Sequence, residues 1–246
     1  MDYSKTTFFD VFAGGGSVYT NILDKYDAVL VNDIILDLIK IHKSLILDDS
    51  FVNLVKSIVP EKTDKESFLE LRNSYNKTKT PEKLYALMLS CTNNMMRFNK
   101  SFEFGERGYS EATENKITVW KEHVKPFIDK IIFVSLDFEK LFKPDIIDKS
   151  MFYLDPPYSE TEAGYNAYWS KNSDRRLYKF IHKINDGKGS FMLSGVKGKH
   201  KKGEESWIIN ELIKDGFNVM EIDCSYEKVA RIKNNKESVE VIIKNY

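Results

Sequence analysis

The sequence predicts an α/β chain, a doubly wound sheet interrupted by a mainly helical insertion, and three observations predict it. First, an apolar, β-rich run from Thr7 to Phe12 breaks off into Ala13-Gly14-Gly15-Gly16-Ser17, after which Val18, Tyr19, Ile22 and Leu23 recur at helical spacing. Second, another apolar run, Ala28-Val29-Leu30-Val31, ends in Asn32-Asp33, and a helical rhythm resumes from Ile34 to Leu47. Strand, glycine turn, helix, strand and acid make the first half of a doubly wound sheet. Third, the strand signal vanishes between about Asp48 and Lys130 and returns afterwards.

Within that gap the patterning is amphipathic and helical, as in Phe68-Leu69-Glu70-Leu71 and Lys83-Leu84-Tyr85-Ala86-Leu87-Met88, with Pro60 and Pro81 as punctuation. Asn99 to Ser110, rich in Phe, Gly and charge, reads as a loop or short hairpin. The later strands are Ile131-Ile132-Phe133-Val134-Ser135, Met151-Phe152-Tyr153-Leu154, Gly189 to Ser194, Phe217 to Ile222 and Val239 to Ile243, with helical segments between most of them. The economical division is a core of residues 1–47 and 131–246 with an insertion at 48–130.

Composition excludes several classes. A hydrophobic fraction of 42% supports a real core rather than disorder. No stretch approaches the roughly 20 apolar residues of a membrane-spanning helix, and Met1-Asp2-Tyr3-Ser4-Lys5 opens no signal peptide. Cys91 and Cys224 form no metal-ligand spacing, and four scattered histidines give no metal site, so reduced thiols in the cytoplasm are expected. Lys+Arg and Asp+Glu both number 37, which neither favours nor excludes nucleic acid, because counterion release depends on a local basic face. Two local clusters exist: Lys197, Lys199, Lys201 and Lys202, and Arg97, Lys100 and Arg107. A solvated loop explains either cluster equally well.

Three motifs carry chemistry. Consecutive glycines where a strand hands over to a helix permit positive φ and close approach of a ligand to the backbone, but the spacing matches neither G-x-G-x-x-G nor G-x-x-x-x-G-K-[ST]. A tight turn without a ligand is the plain alternative. Asp33, at the end of the adjacent strand, is placed to grip the hydroxyls of a ribose, or to cap the helix that follows. The two roles are compatible, and with the glycines they favour a nucleoside-containing cofactor. The sharpest signal is Asp155-Pro156-Pro157-Tyr158, directly after Met151-Phe152-Tyr153-Leu154. A carboxylate at the carboxyl edge of a parallel sheet, two prolines whose carbonyls are free to accept, and an aromatic ring form a receptacle for a planar group bearing an NH2.

In this order and around a helical insertion, the set Phe12-Ala13-Gly14-Gly15-Gly16, Asn32-Asp33 and Asp155-Pro156-Pro157-Tyr158 resembles the Dam-type DNA adenine-N6 methyltransferases of the D12 class, particularly the phage ones. The resemblance extends over nearly the whole chain. Phe68-Leu69-Glu70-Leu71-Arg72, Tyr75-Asn76-Lys77-Thr78 and Asn94-Met95-Met96-Arg97-Phe98-Asn99 are similar to that family's target-recognition domain, and Phe104-Gly105-Glu106-Arg107 to the end of its DNA-contacting hairpin. The resemblance implies a Rossmann-like methyltransferase core, S-adenosylmethionine as cofactor with S-adenosylhomocysteine as product, and double-stranded DNA as substrate. It implies that Phe12, Ala13, Gly14, Gly15, Gly16 and Ser17 hold the cofactor's amino-acid end. Asp33 would hold its ribose, and Asp137 with Phe138 would flank its adenine. Asp155, Pro156, Pro157 and Tyr158 would receive the flipped target base. Arg97, Asn99 and Arg107 are the candidates for DNA contact, with Lys199 and Lys201 on the backbone; an ordinary surface ion pair is the alternative for each. For a phage-encoded chain the compartment would be the host cytoplasm.

Two features depart from the family pattern. The segment resembling P-x-K-W-x-G-G-K that normally precedes the glycine strand has only Tyr3 and Lys5 as stand-ins, so a partner subunit supplying it is one expectation. The hairpin before Phe104 is shortened, which leaves the usual GATC target open. An active adenine methyltransferase is the favoured reading. A catalytically weak homologue that binds DNA or a partner, and a methyltransferase for another amine, stand beside it.

Overall fold

The computed structural model describes residues 1–91, 109–157, 169–198, 205–222 and 238–246. Among the described residues seven strands form one sheet: β1 (Thr7–Asp10), β2 (Ala28–Asn32), β3 (Ile131–Val134), β4 (Ser150–Leu154), β5 (Ser190–Gly198), β6 (Asn218–Ile222) and β7 (Ser238–Lys244). Their order across the sheet is β3-β2-β1-β4-β5-β7-β6. All neighbours are parallel except β7, which runs antiparallel to both β5 and β6. The chain is therefore α/β with a mostly parallel, Rossmann-like sheet.

Successive residues of a strand point to opposite faces, and the burial follows that alternation. Phe9, Phe152, Phe191, Leu193 and Ile243 pack on one face beneath α6 (Lys171–Asp186) and α7 (Trp207–Lys214). Phe8, Val29, Val31, Met151 and Met192 pack on the other, beneath α1 (Leu36–Leu47) and the end of α5 (Glu111–Val124). Strands buried on both faces read as continuous apolar runs, which is why the parallel strands were so visible.

Among the described residues four helices intervene between α1 and β3: α2 (Asp49–Ile58), α3 (Lys65–Lys77), α4 (Pro81–Ser90) and α5. Each of α2, α3 and α5 starts on a polar cap, with Asp48, Asp64 and Ser110 accepting from Ser50, Ser67 and Thr113 N–H. Proline opens α4, where its missing N–H costs nothing. These helices bury a cluster of their own, including Phe51, Val55, Phe68, Tyr75, Leu84 and Leu87. Helix α1 contributes to both clusters, giving Ile39 and Ile46 to the one on the sheet and Leu38, Ile41 and Leu45 to the one among α2 to α5.

One expectation needs correction. The helix predicted after the glycines is only a 3-10 turn, Tyr19–Asn21. Thr20 Oγ1 donates to the Gly16 carbonyl at 2.8 Å and Asn21 Nδ2 to the Ser17 carbonyl at 2.7 Å. The Asn21 side chain thus takes the Ser17 carbonyl that an α-helix would give to the Asn21 N–H, which bonds the Val18 carbonyl at 3.0 Å instead, and the turn stops there. The periodicity was real, because Tyr19, Ile22 and Leu23 are buried, but one irregular turn satisfies it.

Candidate active site

Strand β1 sits at the switch point of the sheet, with β2 on one side and β4 on the other, so the connections leaving their carboxyl ends diverge and open a crevice. A cavity of about 480 Å³ lies there. A larger one of about 590 Å³ lies beyond the glycine turn, between α1 and helices α4 and α5. The smaller cavity is the better candidate because it gathers four carboxylates, an aromatic cluster and the proline turn.

The turn after β1 is fixed from several directions. Ala13 N–H donates to the Asn32 carbonyl at 2.8 Å, and Gly16 N–H to the Ala13 carbonyl at 2.7 Å. Gly14 N–H donates to Asp33 Oδ2 at 3.0 Å, while its carbonyl accepts from His42 Nε2 at 2.9 Å. Gly14 and Gly16 have φ of +50° and +79°, the left-handed region in which glycine is free of Cβ strain. At Gly16 a Cβ would also lie 2.6 Å from Tyr19 Cε1 and 2.7 Å from His42 Cε1. After these bonds, the N–H groups of Gly15, Ser17 and Val18 have no acceptor among the described residues, and all three residues line the cavity.

Asp33 is buried, and burial pushes its carboxyl up despite hydrogen bonds from Ile35 and Gly14 N–H. It closes the turn before α1, whose cap is Ile35 rather than Asp33. Asn32, which drew notice only as its neighbour, is a strut: its Nδ2 donates to the Val11 and Leu136 carbonyls at 2.9 and 3.1 Å, and its Oδ1 accepts from Leu136 N–H at 2.9 Å. It therefore sets the position of the loop that carries Asp137 and Phe138.

At that loop Arg176 of α6 donates to Asp137 Oδ1 and Glu139 Oε2, each at 2.7 Å, and lies 5.0 Å from the centre of the Phe138 ring. Partial burial opposes ionisation of Asp137, but the bonds from Arg176 and Glu139 N–H outweigh it and hold the carboxyl below its usual range. Phe138 meets Phe12 and Trp169 at 5.8 and 5.9 Å between ring centres. The Trp169 ring stands edge-on to Phe12, pinned by its indole N–H to Asp174 at 2.7 Å. The cavity thus has an aromatic end.

Its other end is acidic. Asp155 follows β4 and is exposed, Pro156 is buried, and both line the cavity with Pro157. Asp10, the last residue of β1, is 1% exposed; its Oδ2 accepts from Tyr19 N–H at 3.2 Å and its Oδ1 has no partner among the described residues. Burial above all, with the charges of Asp155 and Asp33, pushes its pKa up to about 7.

The cavity brings together Phe12, Ala13, Gly14, Gly15, Ser17, Asp33, Asp137, Phe138, Asp155, Pro156 and Pro157 from four separate strand ends. Gly16 supports the turn from behind rather than lining the cavity. Tyr158, Arg97, Asn99, Arg107, Lys199 and Lys201 lie outside the described residues, while Lys197 on β5 is paired with Glu221 at 2.9 Å. Sequence reasoning passed over Asp10, Trp169 and Arg176. For Asp10 a signal existed, an acid ending an otherwise apolar strand; for the other two, far along the chain from any motif, there was none.

The profile of the D12 class N6 adenine-specific DNA methyltransferases matches residues 1–227. The chain belongs to that family. Relatives of this D12-class chain include the type II methyltransferase M.FokI of Planomicrobium okeanokoites, 29% identical over 258 residues, and the modification methylase StsI of Streptococcus sanguinis, 29% identical over 269 residues. The modification methylase LlaI of Lactococcus lactis subsp. lactis is 27% identical over 258 residues. Each comparison covers 98% of the D12-class chain but only 39% of the relative, so the chain spans about two-fifths of their length. Among the described residues no helix is long and apolar enough to cross a membrane.

Proposed function

We propose that this chain transfers the methyl group of S-adenosylmethionine to the exocyclic N6 amine of an adenine flipped out of double-stranded DNA. The observation that carries the reading is the polarity of the cavity at the switch point. One wall offers free N–H donors, an unpartnered buried carboxylate oxygen lies at its base, aromatic rings close one end, and the Asp155-Pro156-Pro157 turn sits at the rim.

These groups fit the cofactor. The N–H groups of Gly15, Ser17 and Val18 suit its carboxylate, and Asp10 Oδ1 suits its ammonium, a cation that would relieve the cost of a buried charge. Asp33 would accept from the ribose hydroxyls, and Phe138, with Trp169 and Phe12 beside it, would flank the adenine. When bound, S-adenosylmethionine supplies an electrophilic methyl carbon on a sulfonium. The chain's own task is to hold the target amine in line with that carbon. Asp155 and the Pro156 carbonyl accept its two hydrogens and favour a more tetrahedral nitrogen, whose lone pair is then less delocalised into the ring. Once the amine has taken the methyl group from the sulfonium, its surplus proton would leave towards Asp155 or water. Tyr158 would stack on the flipped base, so that position and electrostatics supply most of the rate.

Residues 48–130 would form the target-recognition part, with Arg97, Asn99 and Arg107 as candidates for DNA contact and Lys199 and Lys201 as candidates for contact with its backbone. The test is calorimetric titration of S-adenosylmethionine into the chain, alone and with adenine-containing duplex, followed by radiolabelled methyl transfer. Micromolar binding and label on adenine are expected. No binding in either condition, or label on cytosine, overturns the reading.

A further inference from the structure

His42, a buried histidine of α1, stands behind the glycine turn and belongs to none of the motifs. Its Nε2 lies 2.9 Å from the Gly14 carbonyl oxygen and its Nδ1 3.2 Å from the Tyr19 hydroxyl. A carbonyl can only accept, so Nε2 carries the proton, and in the neutral ring Nδ1 then accepts from the Tyr19 O–H. The ring is also pressed against the backbone, since a Cβ on Gly16 would fall 2.7 Å from its Cε1.

The consequence lies in the peptide unit between Gly14 and Gly15. A planar trans peptide points its C=O and N–H in opposite directions. Holding the Gly14 carbonyl towards His42 therefore aims the Gly15 N–H away from it, and that N–H is one of the donors with no acceptor among the described residues. A unit flanked by two glycines has little of its own to resist rotation, because neither residue carries a Cβ to restrict φ and ψ. A donor bonded to the carbonyl also polarises the same unit and strengthens its N–H as a donor.

We propose that His42 is a positioning residue: by hydrogen-bonding the Gly14 carbonyl it locks the Gly14–Gly15 peptide in the orientation that presents the Gly15 N–H to an anionic group of the ligand. The inference rests on the reading of the cavity as the S-adenosylmethionine site, and deepens it by naming what keeps the carboxylate receptor in shape. His42 does not touch the ligand; it acts through Gly14.

The test compares three variants for S-adenosylmethionine affinity by calorimetry. His42→Phe fills the ring's space without a donor. His42→Gln returns a donor at the position of Nε2, and His42→Asn offers one only at the position of Nδ1. Affinity is expected to fall about tenfold in the Phe and Asn variants, the worth of one hydrogen bond to a preorganised group, and to recover in the Gln variant. A role in packing alone would not separate Gln from Asn. Unchanged affinity in the Phe variant, or Gln no better than Asn in folded protein, overturns the proposal. A second measurement does not depend on the cofactor: the imidazole nitrogen resonances of the wild-type protein should show His42 as the neutral tautomer protonated at Nε2, and an Nδ1-protonated ring would overturn the proposal. If the wild type fails to bind S-adenosylmethionine at all, the assigned activity falls, while the tautomer still decides the role of His42.

Discussion

The carboxyl ends of β1 and β4 are neighbours in the sheet and opposites in chemistry. After β1 the turn is built of glycines and held by hydrogen bonds that it donates to Asn32 and Asp33 and accepts from His42 and Thr20, which leaves selected N–H groups over. After β4 the turn is built of two prolines, which have no N–H to give and whose rings fix the backbone. One end is therefore a surface of donors and the other a surface of acceptors. Donors suit the carboxylate of a cofactor's amino-acid end, and acceptors suit an NH2 group. On the proposed function the difference teaches a division of labour, in which the β1 end would hold the cofactor and the β4 end would receive the reacting amine.

If that division is right, the two ends can be broken separately. The largest effect is expected from Asp155→Ala. Losing a preorganised acceptor for the reacting amine should lower kcat by about 10²- to 10³-fold, while S-adenosylmethionine affinity changes far less. Steady-state kinetics against calorimetric Kd would show it. Equal loss of turnover and cofactor affinity would mean that Asp155 belongs to the holding end.

The next largest effect concerns Asp10, at the base of the holding end. Its pKa is raised from 3.8 to about 7, chiefly by burial. Between those values the folded chain binds a proton that the unfolded chain has lost, so stability falls as pH rises through this window and levels off above it. Asp10→Asn removes that slope. At pH 8 the variant should be more stable than the wild type, by up to about 4 kcal/mol, yet bind S-adenosylmethionine more weakly. Denaturant melts at pH 5 and pH 8 test the first half and calorimetry the second. A wild type whose stability is flat across the window would remove Asp10 from the argument. Cofactor binding to the wild type near pH 7 should also release protons, seen as a binding heat that depends on the buffer.

How much of this was legible in the sequence depends on how local the cause was. The strands β1 and β4 and the glycine and proline turns were readable because each is a run of adjacent residues whose physics is self-contained. The same is true of the helical character of α2 to α5, where caps and periodicity coincide. The 3-10 turn at Tyr19–Asn21 was misread because Thr20 and Asn21 side chains overrode an apolar rhythm that either a helix or a single turn satisfies. Trp169, Arg176 and His42 were invisible for a different reason. Each acts on a loop far away in sequence, Arg176 on Asp137 and His42 on Gly14, and only the fold brings them together.

The smallest effects come from two adjacent glycines of the turn, and they separate shape from ligand approach. Gly16 combines a positive φ with a missing Cβ that would collide with Tyr19 and His42. Gly16→Ala should therefore cost about 2 kcal/mol of stability, read from denaturant melts. At Gly15 a Cβ would meet nothing within 4 Å, and its φ is outside the left-handed region. Gly15→Ala should leave stability unchanged or raise it by about 0.5 kcal/mol, because alanine narrows the unfolded ensemble. Its cofactor affinity is then the informative quantity. A stable Gly15→Ala chain that binds S-adenosylmethionine several-fold more weakly would mean that glycine is there to let the ligand reach the backbone. Undiminished affinity would mean that the ligand passes Gly15 at a distance, leaving Ser17 and Val18 as the donors of the holding end.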